Sequence, residues 1–127
     1  GLAVKKGIQV QIASYEEEEA VLGDGELICK VLENFLTNAL RYAISEVTIR
    51  IRPEKKLTAI SVEDDGNGIA SKDLPHLFER CYKGNGGNFG IGLAIATSAA
   101  ERMKGSVKGE NRPEGGAVFT LTLQRSS

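Results

Sequence analysis

Between Leu27 and Ala43 the apolar residues Leu27, Ile28, Val31, Leu32, Phe35, Leu36, Ala39, Leu40 and Ala43 recur at the spacing of one helical face. A long helix with one apolar face has to lay that face on a second layer, which restricts the folds open to the chain. The spacing predicts a helix over residues 25–43, with Asp24 placed to cap its first turn.

The second layer reads as strands. Residues 7–14 alternate apolar and polar, and 20–22 form a second short apolar stretch closed by Gly23. Residues 46–52 set Val47, Ile49 and Ile51 against Thr48, Arg50 and Arg52. A turn at 53–56 and a returning strand at 57–62 complete a hairpin. Downstream, a short helix starts at Ser71-Lys72-Asp73 and runs through Phe78, and a Gly/Asn-rich loop covers 84–90. A helix over 91–103 follows, with Gly105 as its C-terminal cap, then strands near 106–108 and 117–123. The expected fold class is α/β (α+β), a two-layer sandwich with helices on one face of the sheet.

At 127 residues, with 41% apolar and 26% charged side chains, the chain reads as one globular domain over 1–127 rather than a disordered segment. The net charge of −1, with its basic residues dispersed, gives no reason to expect nucleic acid or an anionic membrane as partner. The acidic run 16–19 reads as a solvated turn. Cys29 and Cys81 lie far apart and form no Cys-x-x-Cys pair, so neither a zinc site nor a disulfide framework is expected. No secretory signal or apolar run of membrane-spanning length is present, and a cytoplasmic, reducing setting is the expectation.

Three segments carry the chemistry. Asp64-Asp65-Gly66-Asn67-Gly68 directly follows an apolar strand. A carboxylate at a strand end, then glycines that admit close backbone approach, suits a flat polar ring; alone, the same residues also make an ordinary turn. Asn38 falls between Leu27 and Val31 on the helical wheel, inside the apolar sector, with Asn34 one turn earlier and Arg41 beside them. A core-facing amide needs partners. Nearby backbone would supply them; alternatively the two amide oxygens could ligate Mg²⁺ while Arg41 neutralises phosphate. Gly84, Gly86, Gly87, Gly90 and Gly92 precede a helix whose N-terminal N–H groups suit an anion, with Arg80 and Lys83 flanking; a plain surface loop is the competing reading.

Other nucleotide and calcium motifs fail. Gly87 and Gly92 have P-loop spacing, but Leu93 stands in place of the lysine. Neither glycine pair completes Gly-x-Gly-x-x-Gly, since Phe89 and Ile95 occupy the last position. Pro75 stands where an EF-hand loop starting at Asp64 requires its final glutamate.

Taken in order, Asn34-x-x-x-Asn38-Ala39-x-Arg41-Tyr42 resembles the N box of bacterial sensor histidine kinases, and Asp64-x-Gly66-x-Gly68 resembles their first glycine box. Leu77-Phe78-Glu79-Arg80-Cys81-Tyr82 is similar to the F box, and Gly90-Ile91-Gly92-Leu93-Ala94-Ile95 to the second glycine box. Gly115-Gly116-Ala117-Val118-Phe119 is similar to the closing strand. The resemblance implies the Bergerat ATP-binding fold shared with gyrase, Hsp90 and MutL proteins: a mixed, mainly antiparallel sheet of about five strands backed by three helices.

By position, the resemblance assigns Asp64 to the adenine amino group, Gly66 and Gly68 to close approach of the base, and Ile69 and Leu93 to its apolar walls. Asn38 and Asn34 would hold Mg²⁺, making them, with Arg41, the catalytic set, and Tyr42 would flank the nucleotide. Residues 80–92, including Arg80, Tyr82, Lys83, Gly84, Phe89, Gly90, Ile91 and Gly92, would form a short lid over ATP. Arg41 stands where the family usually carries Lys, and Cys81 replaces the usual aromatic. Asn34 occupies the place where ATP-hydrolysing relatives and serine kinases carry a glutamate base. Glu33 points about 100° away and does not replace that base. Transfer to an already nucleophilic imidazole therefore fits better than water activation.

The implied function is donation of the ATP γ-phosphoryl group to a histidine in two-component signalling. His76, the single histidine, sits beside Pro75 and not on a dimerising helix. The phosphoacceptor and dimerisation domain is therefore expected upstream of Gly1 in a longer protein, one compatible with membrane anchoring. The expected partners are ATP, that upstream domain and, indirectly, a response regulator, with this domain itself a monomer that does not touch the membrane. An ATP-hydrolysing or serine-phosphorylating relative, or a degenerate nucleotide-binding module, are the alternative readings.

Overall fold

The computed structural model describes residues 9–14, 25–54, 56–78 and 90–124, with backbone alone for 11–14, 54 and 90–92. The expected strand at 20–22, the cap Asp24, the acidic run, and lid residues 80–89 lie outside them. In chain order the elements are β1 (Gln9–Ser14), α1 (Gly25–Tyr42), β2 (Glu46–Glu54), β3 (Leu57–Asp64), a 3-10 turn (Leu74–His76), α2 (Gly90–Arg102), β4 (Ser106–Asn111) and β5 (Ala117–Gln124).

The strands form one five-stranded sheet in the order β1-β2-β3-β5-β4. β1 pairs parallel to β2, with α1 as the crossover between them, and every other neighbouring pair is antiparallel. The hairpin is tighter than the sequence suggested. Pro53 pairs with Thr58 inside the ladder instead of opening the turn, so β2 runs on to Glu54.

Alternation decides which side chains meet the helices. Along β3, Ile60 and Val62 fall on the same face as Asp64, with Leu121 and Phe119 beside them in register on β5. Val31, Phe35 and Ala39 of α1 and Ala96, Ala99 and Ala100 of α2 are buried against this face. Phe35 and Phe119 pack with ring centroids 5.5 Å apart, and Phe78 meets Phe119 edge-on at 6.3 Å. Burying one such ring is worth about 1.5–3 kcal/mol. Gly109 of β4 makes room for this contact, because a Cβ there would lie 2.7 Å from Leu77 Cδ1 and 2.9 Å from Phe119 Cε1.

Two expectations are corrected. Among the described residues there are two α-helices, and the third expected helix, at 71–78, is a single 3-10 turn. His76 N donates to Asp73 O at 2.9 Å, whereas Pro75 has no N–H with which to extend an α-helical ladder. The cap of α2 is also displaced by one residue. Lys104, at φ 59, takes the left-handed position, while Gly105 N donates back to Ala100 O at 2.8 Å and Lys104 N to Glu101 O at 3.0 Å. Gly105 is required for a different reason: its Cβ would approach Thr122 O to 2.5 Å.

Candidate functional site

A cavity of about 610 Å³ opens between α1, the end of β3, the loop that follows it and the start of β5. That volume falls in the range of small-molecule sites. Asn38, Tyr42, Asp64, Gly68 and Ile69, all candidates from the sequence, line it, and so do Asn67, Ala70, Asp73, Ala117 and Phe119.

Asp64 is only 3% exposed. The strand alternation that places Ile60 and Val62 in the core also turns this carboxylate inward. Its Oδ1 accepts from Gly66 N at 2.8 Å and Ala117 N at 3.4 Å. Among the described residues, Oδ2 takes part in no hydrogen bond. Burial pushes the carboxyl above its usual range, against the opposing pull of the Gly66 and Ala117 amides.

Asp65 faces the other way. Its Oδ1 accepts from Ile44 N at 2.9 Å and Ser45 N at 3.0 Å, and its Oδ2 accepts from Ser45 Oγ at 2.6 Å. These bonds tie the turn that follows α1, the helix that carries Asn38 and Tyr42, to the residue next to Asp64. Gly66 fits between them: a Cβ would strike the carbonyl of Tyr42 and come within 3.0 Å of Asp64 Oδ1. Gly66 is itself buried and does not line the cavity, so packing of the loop on α1 accounts for its lack of a side chain. Gly68, at φ +82, does line the cavity.

The remaining candidates are spread more widely. Asn38 is buried on the cavity wall, within the apolar face of α1. Asn34 is half-buried, off the cavity wall, and its Nδ2 donates to Lys30 O at 2.9 Å, which turns its Oδ1 into the acceptor end of the amide. Arg41 is exposed on α1. Leu93 is buried in the core and is not on the cavity wall. Gly90, Ile91 and Gly92 form the first turn of α2, while Arg80, Tyr82, Lys83, Gly84 and Phe89 lie outside the described residues. His76 is half-buried in the 3-10 turn.

Sequence reasoning missed Asp73, which is 1% exposed and on the cavity wall. It had read as the start of a short helix. Ala117 and Phe119 were discoverable, since they follow the same alternation on β5 that faces Asp64 inward. On the opposite sheet face a second cavity, of about 510 Å³, is lined by paired charges: Arg50 with Glu63 at 2.8 Å, and Arg112 with Glu63 at 3.7 Å and Glu114 at 3.6 Å. Among the described residues no cluster of three or more His, Cys, Asp or Glu could hold a metal, and no helix is long and apolar enough to cross a membrane.

Residues 23–127 match the family described as histidine kinase-, DNA gyrase B- and HSP90-like ATPase, and the chain belongs to that family. It is 40% identical over 98 residues to the signal transduction histidine-protein kinase AfsQ2 of Streptomyces coelicolor, covering 73% of this chain and 18% of that protein. It is 33% identical over 107 residues to the sensor histidine kinase CpxA of Escherichia coli K12, covering 80% of this chain and 23% of that protein. The chain thus spans about a fifth of the length of these curated relatives. Among solved structures, full-length ShkA in complex with AMPPNP superposes with a TM-score of 0.86 at 25% identity, over 99% of this chain and 28% of that one. The catalytic domain of the histidine kinase ThkA shares the fold, with a TM-score of 0.84 at 24% identity, over 97% of this chain and 84% of that one. The five-stranded mixed sheet with helices on one face is thus the fold of histidine kinase catalytic domains.

Proposed function

We propose that this chain binds Mg-ATP in the 610 Å³ cavity and donates the γ-phosphoryl group to a histidine on a separate dimerisation and phosphoacceptor domain. The observation that carries this reading is the pairing of Asp64 and Asn38, a buried carboxylate and a buried amide on one cavity wall in a chain of this family.

Asp64 Oδ2 accepts the exocyclic amino proton of adenine, while Oδ1 remains occupied by the loop amides. Guanine offers an oxygen at that position, so acceptor would meet acceptor and GTP is disfavoured. Ile69 and Tyr42 line the apolar part of the same cavity. Asn38, with the Oδ1 of Asn34, supplies the hard amide oxygens that suit Mg²⁺, and the ion when bound neutralises charge on the phosphates. Arg41, at the end of the same helix, adds positive charge on that side.

In the transfer, the bond from the γ-phosphorus to its bridging oxygen breaks, ADP takes the electron pair, and an imidazole nitrogen of the acceptor bonds to phosphorus. No residue is needed to deprotonate a water molecule, consistent with Asn34 at the position where hydrolysing relatives carry glutamate. The longer protein would be a sensor kinase signalling through a response regulator.

Calorimetry with Mg-ATP and Mg-GTP tests the base reading, and ATP is expected to bind at least about tenfold more tightly. Equal affinities would remove Asp64 as the base reader. Asn38→Ala is expected to abolish phosphoryl transfer to an added acceptor-helix domain while the variant stays folded. Transfer at the wild-type rate would remove Asn38 from the metal site.

A further inference from the structure

We infer that Asn111 and Arg112, at the end of β4, are positioning residues that set base selectivity by fixing both ends of the 64–69 loop. The inference rests on the assignment of the cavity to ATP. The Asn111 amide holds both backbone polar groups of one residue: its Oδ1 accepts from Ile69 N at 2.6 Å and its Nδ2 donates to Ile69 O at 2.9 Å. This reproduces with a side chain the pair of bonds a neighbouring strand would make. The next residue holds the other end, as Arg112 Nη1 donates to the carbonyl of Asp64 at 2.7 Å. Glu63 and Glu114 flank the guanidinium at 3.7 and 3.6 Å and keep it oriented.

The contact leaves no slack. A Cβ on Gly68 would lie 2.8 Å from Asn111 Oδ1, and one on Gly116 would strike the Asp64 carbonyl. Both glycines also sit at positive φ, +82 and +88. The loop and the β4–β5 turn therefore meet backbone to backbone, with Asn111 and Arg112 as the polar fasteners.

Neither residue lines the nucleotide cavity; both line the cavity on the opposite sheet face. They act through Asp64 and Ile69, which do line it. Selectivity depends on where the Asp64 carboxylate stands relative to the base edge, and a loss of hydrogen-bond alignment there weakens ATP without weakening GTP equally.

The experiment measures Mg-ATP and Mg-GTP affinity by calorimetry well below the thermal midpoint, for wild type, Asn111→Ala and Asn111→Asp. Asn111→Ala is expected to lower the ATP-over-GTP ratio about tenfold. Asn111→Asp keeps the acceptor for Ile69 N and loses the donor to Ile69 O, so its ratio should fall between the two. A purely structural role would lower the melting temperature and leave the ratio unchanged, and that result would overturn the inference. If Asn111→Ala is unfolded at the assay temperature, Asn111→Asp is read in its place; unfolding of both makes Asn111 a folding element and overturns the inference as well. A wild type without ATP preference would instead remove Asp64 as the base reader, and the selectivity role with it; a wild type that binds neither nucleotide would bring down the ATP reading itself.

Discussion

On the cavity side of the loop after β3, Asp64 is held inward and burial pushes its carboxyl up. One residue later, on the α1 side, burial also acts upward on Asp65, but the Ser45 hydroxyl and the Ser45, Glu46 and Ile44 amides outweigh it and hold the group well below the usual carboxylate range. The same residue type is thus used in opposite ways at successive positions. Asp65 stabilises the fold by fastening the turn after α1 to the loop. Asp64 is kept ionisable at a cost in stability, and what it gains is an oxygen turned toward the cavity.

The largest expected effect comes from removing the charge on the cavity side. Asp64→Asn should lower ATP affinity about 100-fold, yet its melting temperature at neutral pH should equal or exceed wild type, because asparagine can still accept from Gly66 and Ala117. A clear drop in melting temperature would make Asp64 a structural residue like its neighbour and break the contrast. Gly66→Ala comes next, since it loads the seam between the two sides. Its Cβ strikes the Tyr42 carbonyl, so denaturant unfolding should show a loss of about 2 kcal/mol. Asp65→Asn should cost about 1 kcal/mol after allowance for solvent screening, and leave ATP affinity within about threefold of wild type.

The smallest effect lies in the pH dependence, where the two carboxylates should pull in opposite directions. The folded-state pKa of Asp65 is depressed, so its contribution is complete above the ordinary value of 3.8 and is lost as pH falls through the lower folded value. That of Asp64 is raised, so its contribution is present below 3.8 and is lost as pH rises through the higher folded value. Urea titrations from about pH 3 to about pH 7 should therefore show Asp64→Asn gaining on wild type as pH rises and Asp65→Asn falling behind it. Parallel curves for both variants would show that the two sites are electrostatically alike.

Periodicity made much of the fold legible. The 3.6-residue repeat of α1 and the alternation of β2, β3 and β5 are local patterns, and each lies within about two residues of its expected place. The same rules put Asn38 and Asp64 on one wall, because helical and strand phases each predict a face. What was not legible depends on tertiary contact. Asn111 and Arg112 hold partners 42 and 48 residues away, and no spacing within β4 announces them. Gly66 and Gly68 were read as making room for a ligand. In the fold a side chain at Gly66 would meet Tyr42 and one at Gly68 would meet Asn111, a distinction invisible without the neighbouring backbone. Lys104 takes the cap position expected of Gly105, and the glycine at 105 answers instead to the close approach of β5, a contact that the local sequence does not show.

β3, the strand that ends in Asp64, is hydrogen-bonded to β2 on one side and β5 on the other, at the centre of the sheet. Central strands are among the last segments to open in native proteins, and their amides exchange only when much of the molecule unfolds. The end of the cavity that carries Asp64 is therefore built, among the described residues, on the central strand of the sheet. If Asp64 reads the base as proposed, that choice rests on a segment that opens only with much of the fold.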